Sequence, residues 1–220
     1  MCGRYGFIPG KDFYKRFKVD KATGKLKASY NVAPGRTMPV IIRQSPNQAV
    51  EMKWGLVPHW AKDPRIGYRM INARAETLGS RPAFREELHT KRCLVPANGF
   101  YEWEHKGKDK VPYYIKLKND EIFAFAGLYD IWKDAEGKML MTYTIITTDS
   151  NPLVGKIHDR MPVILKEEYE DEWLDPGEKD IEKLSALLKP YPAGELEAYQ
   201  VADLVNNPKN DNEKLIVRKE

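Results

Sequence analysis

Cysteine is nearly absent from this 220-residue chain. There are two, too few for a disulfide-built scaffold, so two reduced thiols in a cytosolic protein are expected. Histidine is as scarce. Four scattered histidines and two cysteines give no CxxC, HxxxH or HExxH spacing, and no metal is expected. No apolar run approaches the ~18–20 residues that span a bilayer. The opening MCGRYGFIPGKDFY lacks the apolar core of a secretory signal. A cytoplasmic location, nucleoid-associated in a bacterium, is therefore expected, with no membrane partner. No GxGxxG follows a strand-like run and no GxxxxGK[ST] occurs, so no cofactor is expected. Neither repeats, low-complexity stretches nor a Gly/Ser linker divide the chain, which predicts one domain over 1–220; a monomer is expected. No charge of one sign dominates: 36 Lys+Arg against 32 Asp+Glu leave +4. That permits a polyanionic partner without demanding one.

Aromatic side chains are plentiful, with five Trp and twelve Tyr, enough to fill a core or to stack on bases. The hydrophobic share of 42% suits a soluble globular chain that buries a core without staples. Apolar spacing predicts a helix over 12–19. Residues 38–43 and 49–54 read as a β pair around the turn SPNQ. A helix is expected over 80–89, with Ser80 as its N-cap and Pro82 in its first turn. β-branched and aromatic runs then predict strands at 93–96, 99–105, 112–117, 122–132 and 139–148. Helices follow near 166–174 and 178–188, and LEAYQVA and KLIVRK read as closing strands. Strand runs with segregated helices predict an α+β fold, a curved, mostly antiparallel, barrel-like sheet with peripheral helices.

Cys2 carries the chemistry. A small second residue favours removal of Met1, which leaves a cysteine with a free α-amine and a free thiol. The amine titrates near ~7.7–8.0, so part of it is nucleophilic at cellular pH. The thiol titrates near ~8.5, lower beside an ammonium or an Arg. A 1,2-aminothiol reacts characteristically with an aldehyde: the amine forms an imine, and the thiolate adds to close a five-membered thiazolidine, an intramolecular step favoured by proximity. A buried Cys2 of no chemical use is the alternative.

Six blocks accompany Cys2 in order: MCGRYG, YNVAPG at 30–35, WGLVPHW at 54–60, INARAET at 71–77, GFYEW at 99–103 and IHDRMPVIL at 157–165. Together they resemble the SRAP family, the SOS response-associated peptidases, also called abasic site processing proteins. The resemblance runs from residue 2 to about residue 216. It implies covalent capture of abasic sites in single-stranded DNA as a thiazolidine, with Cys2 as nucleophile. Asn72 matches the family's active-site asparagine and Glu102 its acid/base carboxylate. His158 matches its histidine, suited to stabilising the opened sugar and assisting reversal. Arg4, Arg74, Arg81 and Arg160 match DNA-contacting arginines; surface charge is the plainer reading, notably for Arg81. Thr147 matches a position near the active site.

Trp54, Trp60 and Trp103 are candidates for packing or for base stacking. Pro39 is either a wedge at the gap or an edge-strand proline. The family often has two adjacent tryptophans where this chain has Trp60-Ala61. Cys93 reads as a structural thiol, His89 and His105 as surface positions, Glu104 as solvent-facing, and His59 as lying off any matching catalytic position. A weak lyase side reaction is compatible with an imine intermediate. Two other classes stay open: an N-terminal-nucleophile cysteine peptidase, and a non-covalent single-stranded DNA binder.

Overall fold

The computed structural model describes residues 2–44 and 46–219. Met1, whose removal the proposed chemistry requires, and Ser45, in the SPNQ turn, lie outside them. The chain begins with β1 (Tyr5–Phe7), α1 (Phe13–Arg16), β2 (Val19–Ala22), β3 (Ser29–Val32), β4 (Thr37–Ile42) and β5 (Asn47–Trp54). After a 3-10 turn come β6 (Asn72–Arg74), α2 (Arg85–Thr90), β7 (Arg92–Ala97), β8 (Gly99–Lys106) and β9 (Asp109–Leu117). The long strands β10 (Phe123–Lys133) and β11 (Met139–Asp149) precede the short β12 (Arg160–Pro162) and β13 (Ile164–Leu165). Helices α3 (Glu167–Leu174) and α4 (Ile181–Ala186) and strand β14 (Leu196–Gln200) follow.

The barrel-like reading holds, and the topology shows how it closes. Strand β11 pairs with β10, β10 with β7, β7 with β4 and β4 with β5, all antiparallel. Strand β5 then returns to β11 in parallel at Thr142–Lys53 and Tyr143–Trp54. Five strands thus form a ring without free edges. On β10, every residue from Phe123 to Leu128 is buried. Strict alternation is lost there because neighbouring elements cover the outside of the ring while the inside is filled. A second sheet, in the order β14-β9-β8-β1-β3, stands beside the barrel. Only Asn98 separates β7 of the barrel from β8 of this sheet. The connection between the sheets is therefore short, and β1, close to the N-terminus, pairs directly with β8.

Three local expectations are corrected. The helix over 12–19 stops at Arg16, because Lys18 adopts a left-handed φ of 51° and Val19 enters a parallel pairing with Asn47. Tertiary pairing of a β-branched residue outweighs helical spacing here. The helix over 80–89 begins only at Arg85, and Ser80 does not cap it; its hydroxyl donates back to the Thr77 carbonyl at 3.1 Å. The closing KLIVRK is no strand: Glu213–Ile216 is a 3-10 turn capped by Asn212, and Arg218 alone bridges to Val201.

Candidate functional site

The backbone leads Cys2 into the seam between the two sheets. Tyr5 pairs with Phe100 and Gly6 with Gly99, and the Tyr101 amide donates to the Arg4 carbonyl at 2.9 Å. Residues ahead of Tyr5 therefore run beside Glu102. Gly99 has no substitute in this crossing, because a Cβ there would come within 2.4 Å of the Tyr114 ring. From the barrel side, β6 lies parallel to β11 with Asn72 opposite Ile145. The buried Trp54 indole fixes the approach to β6 by donating to the Ile71 carbonyl at 2.8 Å. Gly55, at φ +118°, passes so close to Gly67 that a Cβ would sit 2.6 Å from its carbonyl oxygen.

Cys2 is fully buried, its thiol 3.8 Å from the Arg4 carbonyl. Burial pushes the thiol well above its ordinary pKa, and the negative charge of Glu102 adds to the effect. A neighbouring guanidinium does not bring it down, because that of Arg4 is committed elsewhere. Its Nη1 donates to Asn31 Oδ1 at 2.7 Å and to the Val205 carbonyl at 2.9 Å.

Asn72 Nδ2 donates to the Cys2 carbonyl at 2.8 Å, while its buried Oδ1 accepts no hydrogen bond among the described residues. Glu102 is 2% exposed, and burial pushes its carboxyl up to about 7. A carboxyl at that value exchanges protons in both directions at neutral pH. Strand alternation alone did not foretell its burial: Tyr101 and Glu102, on opposite faces, are both covered. His158 is half-buried and its pKa is lowered, first by burial. Its Nδ1 lies 3.0 Å from the Arg160 amide and 2.9 Å from Asp159 Oδ1.

Two depressions hold the partners of the buried Cys2. One of about 330 Å³ is lined by Glu102, Trp103, His105, Lys110, His158 and Asn206. The other, of about 440 Å³, includes Trp60, Arg69, Asn72, Arg74, Arg81 and Phe84. Cys2 joins them, hydrogen-bonded to Asn72 of one and electrostatically coupled to Glu102 of the other.

The remaining candidates separate. Arg74, Arg81 and the 53%-exposed Trp60 face the larger depression. Arg160 is held by Glu76 and Asp149 at 2.8 and 2.7 Å and by the Thr147 carbonyl. Thr147 is fully buried, with its hydroxyl 3.5 Å from the Ala73 carbonyl. Trp103 bonds Asn206 and carries the Arg4 guanidinium over its ring at 5.9 Å.

Trp54 is corrected to a core residue. It is 1% exposed and stacked beside Tyr143 at 6.3 Å, which leaves no face for a base. Pro39 is half-buried on β4, beyond the one residue, Ile41, that pairs with β7. Cys93 is a structural thiol, buried, with its pKa raised well up by burial. Glu104 is half-buried and paired with Lys106 at 3.1 Å. His105 is exposed and His89 is half-buried.

Residues that sequence reasoning missed include Arg69, Lys110 and Asn206. Arg69 had a signal, since it stands five residues before Arg74 in YRMINAR. Asn206 had none, because it reaches the site from a distant 3-10 turn.

The fold and site define an α+β barrel protein whose leading strand delivers a buried cysteine to a polar seam. Within that class the particular family follows from comparison. The SOS response associated peptidase (SRAP) family model matches residues 1–208, and the chain belongs to that family. It is 51% identical over 221 residues to abasic site processing protein YoqW of Bacillus subtilis, covering 98% of this chain and 99% of that protein. It is 32% identical over 224 residues to abasic site processing protein HMCES of Xenopus tropicalis, covering 87% of this chain and 66% of that one. A crystal structure of a Bacteroides thetaiotaomicron protein superposes with a TM-score of 0.81 at 35% identity, covering 87% and 85% of the two chains.

Proposed function

We propose that this protein, acting as one domain and a monomer, processes abasic sites in single-stranded DNA. It does so by forming a covalent thiazolidine through Cys2 once Met1 is removed. The observation that carries the proposal is the meeting of Cys2, Asn72 and a Glu102 carboxyl titrating at about 7 in one seam. The names of the curated relatives supply the substrate class.

Arg74, Arg81 and Arg69 take phosphates along the larger depression, and Trp60 offers a stacking face. Protonated Glu102, with His158, hands a proton to the ring oxygen as the sugar opens to its aldehyde. The Cys2 amine attacks the carbonyl carbon, and the carbinolamine loses water to give the imine. Asn72 holds the Cys2 backbone, and its open Oδ1 accepts from the amine. Glu102, now ionised, takes the thiol proton, which offsets the burial that keeps the thiol neutral. The thiolate adds to the imine carbon, the nitrogen takes a proton, and the ring closes. The ring removes the aldehyde that drives strand cleavage by elimination, so lyase activity is weak. A paired, stacked site has to be unstacked at a cost of about a few kcal/mol, which favours single strands.

Incubation with an abasic single-stranded oligonucleotide should give a species that survives denaturing electrophoresis and is absent for Cys2→Ala. An equally stable species from Cys2→Ala refutes the thiazolidine. Turnover of added peptides favours the peptidase reading instead. Equal retention of abasic DNA by Cys2→Ala with no covalent species from either protein favours a passive binder.

A further inference from the structure

A second polar cluster lies away from Cys2, beneath the segment that carries Trp60. Three separate elements build it: His59 from the loop after β5, Glu86 and Glu87 from α2, and Asp130 from β10. One ligand-capable atom each from His59, Glu86 and Glu87 lies within 4.8 Å of the others. His59 Nδ1 is 3.1 Å from Asp130 Oδ2 and 3.8 Å from Glu87 Oε1. Ligands bound at about 2.0–2.1 Å in a tetrahedral zinc site stand roughly 3.3 Å apart, a spacing these two distances bracket.

The cluster differs from a solvated acidic patch in one respect. Glu87 is 2% exposed, its buried Oε2 meets no N–H or O–H donor among the described residues, and its carboxyl group interacts with that of Asp130. A buried carboxylate oxygen without a donor is costly unless a cation or a proton meets it. Lys91 answers part of this demand, with Nζ 2.6 Å from Asp130 Oδ1 and 3.6 Å from Glu87 Oε1. Burial, with the neighbouring Asp130 charge, pushes the Glu87 carboxyl up to about 7, so near neutral pH a proton answers part of the demand as well, and a divalent cation would displace that proton. The His59 side chain is 45% exposed, so an ion has a way in. The His59 and Ile131 amides orient the Asp130 carboxylate at 2.7 and 2.8 Å, the outer support that ligating carboxylates need.

We propose that His59, Glu86, Glu87 and Asp130 form a site for a divalent transition-metal cation of the Zn2+ class. One imidazole among carboxylates selects such an ion over Mg2+. Bound there, the ion ties the loop carrying Trp60 to α2 and to the barrel. It takes no part in the chemistry at Cys2. Sequence spacing could not reveal this site, because His59 and Glu86 stand 27 positions apart.

Calorimetric titration of the purified protein with Zn2+ alone tests the site, together with thermal melts. One saturable site in the micromolar range is expected, with a melting temperature that rises on Zn2+ addition. His59→Ala should weaken binding about tenfold or more and abolish the rise, and Glu86→Ala, at an exposed position, should weaken it several-fold. The proposal is overturned if wild type shows no saturable site, or if His59→Ala binds Zn2+ as tightly as wild type. Equal competition by Mg2+ overturns it as well, since that marks an oxygen-only patch.

Discussion

Replacing Glu102 by Gln should make the protein more stable above neutral pH and less active. The carboxyl is 2% exposed, and burial raises it from its ordinary 4.5 to about 7. Between those two values the folded state holds a proton that the unfolded state has released. Stability therefore falls as pH rises through this window. Above it the ionised, buried group disfavours the fold by roughly 3 kcal/mol. Glutamine is never charged, so this pH-dependent loss disappears. At about 2–4 °C per kcal/mol for a chain of this size, the upper bound is roughly 6–12 °C in Tm. Melts of both proteins at pH 4.5 and pH 8.5 isolate the effect. The variant's Tm minus that of wild type should grow with pH, whatever constant cost the amide adds in packing. A difference that stays flat across that range refutes the reasoning, because Glu102 would then titrate like an exposed carboxylate. Adduct formation by the same variant should slow markedly at every pH, since an amide moves no proton.

Trp60→Ala should weaken single-stranded DNA binding by about 1–3 kcal/mol and leave Tm nearly unchanged, whereas Trp54→Ala should cost about 3–5 kcal/mol of stability; binding isotherms and melts separate the two. Arg74→Ala and Arg81→Ala should each reduce the slope of log affinity against log salt by about 1, while Arg160→Ala should chiefly lower Tm by freeing Glu76 and Asp149. Asn72→Ala should slow adduct formation without abolishing it, as followed by quenched denaturing gels. His158→Gln should act more on release of the DNA from a preformed adduct than on its formation, as followed by chase with excess unlabelled abasic DNA.

Much of this fold is written locally, in the strand-forming runs of β7 to β11. Their β-branched and aromatic residues, with the turn residues between them, suffice to mark each strand to within a few residues. Closure of the barrel is not written there. It depends on the parallel return of β5 to β11, a contact between residues some ninety positions apart. The same limit explains the shortened first helix, whose last turn is given up so that Val19 can pair with β5. At the site, the identities of Cys2, Asn72, Glu102 and His158 were legible as motifs, whereas their states were not. The raised values of the thiol and of Glu102 come from three-dimensional burial. Arg4 and Arg160 read as DNA contacts by type and position. The structure engages both guanidinium groups internally, Arg4 with Asn31 and Val205 and Arg160 with Glu76 and Asp149. Residue type and position cannot distinguish an arginine that waits for a phosphate from one already held inside the protein.

Intact mass spectrometry after incubation with an abasic single-stranded oligonucleotide addresses the central claim most directly. The predicted species weighs the Met1-less protein plus the oligonucleotide minus one water, because imine formation expels water and thiol addition expels nothing. A covalent species that retains Met1, or the same adduct from Cys2→Ala, contradicts the account.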